Sequence, residues 1–140
     1  MKVTTQLSFD GTCEAAFRLY EQVLGAKITG LFKYADTPAG KDTPPEWRDK
    51  IIHANLTIGD VGLTGGDPLP GRYERPQGFY LRLNPTDAAT AERVFAALAE
   101  EGTVRMPLQR TFFSPAFGVV VDRFGIPWEV DCRRTGTQHD

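Results

Sequence analysis

Two hydrophobic periods alternate along this chain, and they recur in the same order in its two halves. An apolar residue at every second position predicts a β-strand, and apolar residues three or four positions apart predict an amphipathic helix. The first half predicts a strand, a helix and three strands at residues 3–9, 13–24, 26–34, 50–58 and 61–66. The second half predicts the same series at residues 79–83, 85–102, 103–110, 116–122 and 126–132. A repeated order of this kind indicates two βαβββ modules.

Turn and cap residues mark where several of these elements end. Thr12 is predicted as the N-cap of the first helix, and Gly25 as its left-handed C-terminal residue. Gly102 is predicted to end the second helix. The dipeptide at 59–60 and the segment at 122–125 both contain Asp and Gly, which favour tight turns between neighbouring strands.

The last predicted strand separates a core face from a polar face. Trp128 and the apolar residues two positions to either side are predicted to lie in the core under a helix. Glu129 and Asp131 are predicted on the opposite face. Glu129 therefore becomes the carboxylate whose role matters most for function.

These elements predict a single α+β domain built from two βαβββ modules. The helix and strands of each module are expected to bury their apolar faces, and the opposite faces of the two mixed sheets are expected to form a cup-shaped cavity. Residues 36–49 hold three prolines and several charges, which predicts a long surface loop. The predicted divisions are module one at 1–67, a linker at 68–77, module two at 78–132 and a polar tail at 133–140.

Composition narrows the functional class. With 41% hydrophobic and 24% charged residues the chain is typical of a globular domain. The formal net charge of −2 and the lack of a basic run argue against a nucleic-acid partner. No apolar stretch of membrane-spanning length or signal-peptide core occurs, so we expect a cytoplasmic protein without a membrane partner. Cys13 and Cys132 are interpreted as reduced core residues, with a disulfide between them as the alternative.

A small-molecule ligand is the partner that the predicted cavity favours. Eight mostly polar residues are assigned to its surface: Gln6, His53, Asn55, Thr64, Tyr80, Arg82, Gln109 and Glu129. In this set Glu129 and His53 are the candidate catalytic residues, acting as acid and base or as metal ligands. The remaining six are candidate ligand-binding residues. No residue is assigned to a metal site.

Each of these residues also has an ordinary structural interpretation. Glu129 would then be a carboxylate paired with Arg82 or solvated, and His53 a neutral histidine hydrogen-bonded to Asn55 or to backbone. Arg82 would clamp an anionic substrate in one interpretation and form a plain ion pair in the other. Tyr80 and Gln109 would either orient a ligand or fill the cavity.

Three segments resemble the vicinal oxygen chelate superfamily, which includes glyoxalases, bleomycin-resistance proteins and ring-cleaving dioxygenases. The closest resemblance is to its PhnB-like proteins, often labelled 3-demethylubiquinone methyltransferase-like. The segments are LSFDGTCEAAF with Tyr20, Val23 and Gly25; IHANL with Ile58, Gly59 and Asp60; and MPLQ with Thr111, Phe112, Phe113, Phe117, Gly118, DRFG, Pro127 and Trp128. The resemblance implies the glyoxalase-like fold over nearly the whole chain.

The resemblance also implies a divalent metal held by His or Glu from the first and last strands of each module. Glu129 matches the last of these positions. The others fall on residues that include no histidine: residues 4–6, 62–64 and 78–80. A catalytic metal usually needs three protein donors. A divalent metal is therefore considered with an incomplete ligand set, and the cofactor stays undefined. A homodimer is expected from the resemblance alone.

Two functional hypotheses follow, and the sequence does not decide whether the protein is an enzyme. The first is a small-molecule binding protein without the full superfamily metal site, in which Tyr80, Arg82 and Trp47 contact the ligand. The alternative is a metal-dependent lyase, isomerase or transferase acting on a small metabolite through Glu129 and His53. The methyltransferase label is not adopted, because no glycine-rich strand-to-helix turn of the nucleotide-binding type is found. The segment 65–67 likewise lacks the features of a phosphate loop.

Overall fold

The computed structural model describes residues 1–133 of the 140-residue chain. The predicted polar tail at 133–140 therefore lies outside the described residues, apart from Arg133. The chain divides into two compact units, Met1–Arg75 and Pro76–Asp140, called unit 1 and unit 2 below. Each is described by itself, unit 2 as far as residue 133.

The predicted order of elements is confirmed in both units. Unit 1 contains β1 (Thr5–Ser8), α1 (Cys13–Leu24), β2 (Lys27–Lys33), β3 (Ile51–Ile58) and β4 (Val61–Gly66). Unit 2 contains β5 (Leu81–Leu83), α2 (Ala88–Ala99), β6 (Thr103–Gln109), β7 (Phe117–Val121) and β8 (Pro127–Asp131). The protein is thus α+β, with two βαβββ modules.

Both sheets have four strands and the same mixed topology. The strand order is β1-β4-β3-β2 in unit 1 and β5-β8-β7-β6 in unit 2. In each sheet the first strand pairs in parallel with the last, β1 with β4 and β5 with β8. The other pairs are antiparallel. Because first and last strands are neighbours, side chains far apart in sequence become direct partners.

In unit 1 the helix packs closely on the sheet. Phe17 and Tyr20 of α1 are fully buried, as is Leu56 of β3. A Cβ atom at Gly65 would lie 2.6 Å from the Phe17 ring, and one at Gly66 would lie 2.8 Å from the Ile52 carbonyl oxygen. These glycines are therefore required by packing.

In unit 2 the apolar face of β8 forms the core, as predicted. Trp128 is 1% exposed, and Val130 and Leu98 are fully buried. Asp122 organises the turn before β8: its Oδ1 accepts the backbone N–H groups of Phe124 and Ile126, and its Oδ2 accepts the Trp128 indole N–H at 2.9 Å. A residue predicted only to start a turn thus also fixes the largest core side chain.

Two local expectations are refined by the structure. Thr12 occupies the N-cap position, but its side chain makes no capping hydrogen bond. Helix α2 ends at Ala99, and the left-handed residue that follows is Glu101, with φ 57°, rather than Gly102. Gly102 is needed for another reason, because a Cβ there would clash with the Val121 carbonyl oxygen.

Further features fit or refine the predicted pattern. Gly25 has the predicted left-handed conformation, with φ 67°. The predicted surface loop at 36–49 contains short 3-10 turns, of which Pro38–Asp42 and Pro45–Trp47 are two. Both cysteines are buried and neither forms a disulfide. Among the described residues, no helix has the length and apolarity needed to cross a membrane.

Candidate functional site

The polar face of the unit 1 sheet carries a row of directly opposed side chains. Thr64 of β4 pairs with Gln6 of β1 on one side and with Asn55 of β3 on the other. The Thr64 hydroxyl donates a hydrogen bond to Gln6 Oε1. On the far side of Asn55 lies Gly30, where a Cβ would approach the Asn55 side-chain nitrogen to 2.9 Å. Three predicted ligand-binding residues are thus brought together in an uncharged row, in which Thr64 and Gln6 are hydrogen-bonded to each other.

His53 lies on the same strand as Asn55, two residues earlier. Its ring is exposed and stacks on the cross-strand neighbour Phe32, with ring centroids 6.3 Å apart and an interplanar angle of 24°. Phe32 is itself 49% exposed. His53 belongs to unit 1 and Glu129 to unit 2.

The polar face of the unit 2 sheet is dominated by an ion pair. Arg82 of β5 is the parallel partner of Glu129 of β8. Its Nε and Nη2 atoms both donate to Glu129 Oε1, at 2.9 and 2.8 Å. The side chain of Glu129 is 18% exposed and that of Arg82 45%. The carboxylate that the resemblance places at a metal position is therefore already neutralised by a guanidinium.

A second carboxylate, Asp131, lies on the same face and was not assigned to the site from the sequence. Its side chain is fully buried, with Oδ2 lying 3.6 Å from Arg82 Nη1 and 3.8 Å from Arg133 Nε. Neither of its oxygens accepts a hydrogen bond within the described part of the chain. The alternation along the last strand already placed Asp131 on the same face as Glu129, and this pattern could have assigned it to the site.

Aromatic rings continue from this charged cluster. The Arg82 guanidinium carbon lies over the Phe117 ring, 5.8 Å from its centroid. Phe113 packs edge-on against Phe117 at 5.0 Å, and the fully exposed Phe112 packs edge-on against Phe113 at 5.1 Å. Tyr80, a predicted ligand-binding residue, precedes β5 and is 39% exposed.

Gln109 has a local role at the end of β6. Its side-chain nitrogen donates to the carbonyl oxygen of Pro107, 3.2 Å away. The register of the antiparallel pair places Gln109 opposite Phe117, which in turn is opposite Asp131. The predicted residue therefore lies in the same cross-strand row as the buried carboxylate.

A different buried aspartate, Asp67, lies in unit 1 directly after β4. Its Oδ1 accepts the backbone N–H of Cys13 at 3.0 Å, and its Oδ2 accepts that of Ile51 at 2.9 Å. Burial raises the pKa of the Asp67 carboxyl, although the two backbone donors act in the opposite direction. Burial, with Asp67 nearby, also strongly raises the pKa of the Cys13 thiol, which therefore lacks the thiolate character of a nucleophile.

A cleft of about 330 Å³ opens beside this aspartate. Its lining includes Glu14, Asp49, Lys50 and Asp67. Glu14 is engaged by Arg18 at 3.5 Å and Asp67 by backbone. The buried carboxylate of this cleft, Asp67, is thus already bound to backbone N–H groups through both of its oxygens.

The described residues do not fit the metal that the superfamily implies. No group of three or more His, Cys, Asp or Glu side chains within residues 1–133 is arranged to hold an ion. Glu129 has the Arg82 guanidinium at hydrogen-bonding distance, and the cross-strand pair in unit 1 consists of a hydroxyl and an amide. These donors differ from the three-donor sets of catalytic metals.

The strand-to-helix turn of unit 1 does not fit a nucleotide-like methyl donor either. Such cofactors approach an open backbone at the start of a helix. Here a Cβ at Gly11 would lie 3.1 Å from the Trp47 ring and 3.3 Å from the Lys50 side chain. The helix's first N–H is already bound by Asp67. This turn is covered by the protein's own side chains.

Comparisons with known proteins agree with the fold. A family model described as 3-demethylubiquinone-9 3-methyltransferase matches residues 1–131. Protein YjdN of Escherichia coli K12 is 30% identical over 139 residues, covering 94% of this chain and 95% of that protein.

Among solved structures, protein PA1353 of Pseudomonas aeruginosa is similar, with 40% identity, 96% of this chain and 98% of that chain covered, and a TM-score of 0.86. The fosfomycin resistance protein FosX of Mesorhizobium loti shares the fold, at 12% identity, with 94% of this chain and 90% of that chain covered and a TM-score of 0.60. The chain belongs to the family described as 3-demethylubiquinone-9 3-methyltransferase.

Proposed function

We propose that this protein binds a small molecule on the polar faces of its sheets and does so without the full superfamily metal site. The main support is the ion pair formed by Glu129, the residue that matches a metal-ligand position of the superfamily. Both Nε and Nη2 of Arg82 donate to one of its oxygens, at 2.9 and 2.8 Å. A metal at this carboxylate would have to displace a cation that the protein supplies itself.

The corresponding strands of unit 1 support the same proposal. Gln6 and Thr64 occupy β1 and β4, as Arg82 and Glu129 occupy β5 and β8. Their hydrogen-bonded amide and hydroxyl suit a ligand that is recognised by hydrogen bonds. The cup-shaped cavity expected from the sequence stays a prediction, and ligand binding is the property to measure.

Methyl transfer is not part of the proposal, although the family description names it. The turn before α1 is filled by Trp47 and Lys50 side chains. The description of a family does not by itself supply the binding geometry that a methyl donor needs.

The deciding experiment is metal analysis of the tag-free protein, followed by addition of Zn²⁺, Ni²⁺, Mn²⁺ and Fe²⁺ in a thermal-shift assay. We expect substoichiometric metal and no shift of the melting temperature. A panel of small neutral, aromatic and anionic compounds in the same assay is expected to yield stabilisation without turnover. A stoichiometric metal that is lost in Glu129→Gln would instead favour the metal-dependent lyase, isomerase or transferase.

A matched control separates Glu129 from carboxylates in general. Glu92 lies exposed on α2, so Glu92→Gln removes the same charge without touching the sheet face. Binding that weakens in Glu129→Gln but not in Glu92→Gln assigns the effect to the polar face. Equal behaviour of both variants would remove Glu129 from the site.

We also propose that the protein forms a homodimer, which the family resemblance led us to expect. Sedimentation velocity of the tag-free chain over a range of concentrations measures this directly. A single species with the mass of one 140-residue chain at all concentrations would contradict the dimer.

A further inference from the structure

We infer that the exposed face of the Arg82 guanidinium is a stacking surface for a planar aromatic ligand, with Asp131 as the residue that positions it. The inference rests on the proposed small-molecule function and names the class of compound.

The N–H groups at the edge of the Arg82 guanidinium face carboxylates of the protein itself. Nε and Nη2 donate to Glu129, and Nη1 faces Asp131 at 3.6 Å. An arginine that clamps a carboxylate or phosphate needs two parallel N–H groups free for that purpose. In Arg82 the Nε–Nη2 pair is already bound to Glu129, and Nη1 faces Asp131 without a hydrogen bond to it.

The two faces of the Arg82 guanidinium plane have different surroundings. One face lies over the Phe117 ring, 5.8 Å from its centroid, and Phe117 is only 6% exposed. The Arg82 side chain nevertheless remains 45% exposed. With the Nε–Nη2 pair bound to Glu129 and one face over a buried ring, the opposite face is the surface that the inference assigns to a ligand. Guanidinium faces stack on aromatic rings.

Asp131 restrains the position of the Arg82 guanidinium. Its carboxylate is fully buried and accepts no hydrogen bond from the described residues, so the neighbouring positive charges are its compensation. Moving Arg82 away would leave a buried charge with less compensation, which is costly. Asp131 therefore restrains the guanidinium without contacting a ligand itself.

Charge and surroundings point to an uncharged ring. Arg82 and Arg133 balance Glu129 and Asp131, so this cluster has no net charge to attract an anion. Exposed aromatic surface is available close by in the chain at Tyr80. A flat, conjugated and neutral compound is the class that this arrangement favours.

The test uses naphthol as the planar aromatic probe. Decahydronaphthol, which has the same carbon skeleton but is saturated, is the control. Both are titrated into the full chain carrying isotope-labelled arginine, and the Arg82 Nε–H resonance is followed by NMR. Naphthol is expected to shift this resonance in a saturable manner through its ring current. Decahydronaphthol and inorganic phosphate are expected to leave it unchanged.

Variants connect the shift to the proposed geometry. Arg82→Lys keeps a cation beside Glu129 but has no flat face, so naphthol is expected to bind about threefold more weakly. Asp131→Asn is expected to weaken binding and to reduce the Arg82 shift, since the guanidinium is less restrained. Arg105→Lys, in the exposed strand β6 of the same sheet, is the matched control and is expected to bind like the wild type.

Three results would overturn the inference. Phosphate that moves the Arg82 resonance would make the residue an anion clamp. Naphthol that stabilises the protein without shifting Arg82 would place the ligand elsewhere and leave the proposed function intact. A lack of any naphthol binding up to its solubility limit would refute the stacking surface, while the broader compound panel would still judge the proposed function.

Discussion

The two units share one topology but use a buried aspartate near the end of their last strand in opposite ways. Asp67 directly follows β4 and is 2% exposed, whereas Asp131 ends β8 and is fully buried. Both Asp67 oxygens accept backbone N–H groups, from Cys13 and Ile51. Neither Asp131 oxygen accepts a hydrogen bond within the described residues.

The difference teaches that burial alone does not identify a functional carboxylate. Asp67 satisfies backbone donors that would otherwise be buried without partners, which is a structural role. Asp131 is compensated by charge, through guanidinium groups whose side chains are partly exposed. A carboxylate of the second kind can restrain a side chain that also meets a ligand.

The parallel strand pairs repeat this contrast. Gln6 and Thr64 form an uncharged pair in unit 1, and Arg82 and Glu129 form a charged pair in unit 2. Equivalent backbone positions therefore carry different chemistry. A single substitution on the polar face of unit 2 should therefore change the local charge more than one on the polar face of unit 1.

The largest expected effect is the loss of stability in Asp67→Ala. Two buried backbone donors would lose their acceptor, and each such loss costs roughly 1–3 kcal/mol. We therefore expect the free energy of unfolding to fall by about 3 kcal/mol in urea denaturation. Asp60→Ala, in the exposed turn after β3, is the control and should stay within about 0.5 kcal/mol of the wild type. Equal stability of the two variants would contradict the structural role of Asp67.

The pH dependence of the same residue gives the next prediction. Burial raises the pKa of Asp67 in the folded state, so folding favours its protonated form. Its contribution is full below the ordinary carboxyl pKa and is lost as pH rises through the raised value. Asp67→Asn does not titrate. The free energy of unfolding of the wild type, relative to this variant, should therefore fall as pH rises from about 4 to about 8. A difference that is flat or rises with pH would contradict this assignment.

The fold was predictable because its signals are local. Alternation along 126–132 correctly separated Trp128 from Glu129, and the helical spacing in 13–24 correctly gave α1. Such patterns depend only on side chains a few positions apart. The repeated order of elements then indicated two modules before any contact was known.

The candidate site was less predictable because its decisive contacts are not local. Asp67 binds the N–H of Cys13 across 54 positions, so the sequence offered only the nearby Thr12 as a cap. The burial of Asp131 was missed because a polar residue on an alternating strand is ordinarily expected to face solvent. The Arg82–Glu129 pair was among the alternatives, since both residues were assigned to one polar face.

A smaller effect is expected when the charge of the second aspartate is removed. Asp131→Asn loses no hydrogen bond to the described residues, and both neighbouring arginines keep access to solvent, with side chains 45% and 34% exposed. The free energy of unfolding should therefore change by less than about 1 kcal/mol in urea denaturation. A loss as large as that of Asp67→Ala would show that the two aspartates do not differ in the way proposed.

The smallest effect concerns how the two helices begin. The first turn of α1 is capped by Asp67 from across the unit, whereas α2 is capped by its own Asp87, whose Oδ1 accepts the Thr90 N–H at 2.7 Å. That backbone hydrogen bond, with a second from the Thr90 hydroxyl, lowers the pKa of the Asp87 carboxyl. Its stabilisation is present above the ordinary carboxyl pKa and is lost as pH falls through the lowered value.

Asp87→Ala should accordingly lower the melting temperature slightly at neutral pH and leave it unchanged in strong acid. Asp87→Ser retains an acceptor at the N-cap and should recover most of the loss. Thermal melts of the three proteins at both pH values test this. A loss in Asp87→Ala as large as that in Asp67→Ala would mean that exposed local caps and buried distant caps contribute alike, which the difference in solvent exposure of the two carboxylates argues against.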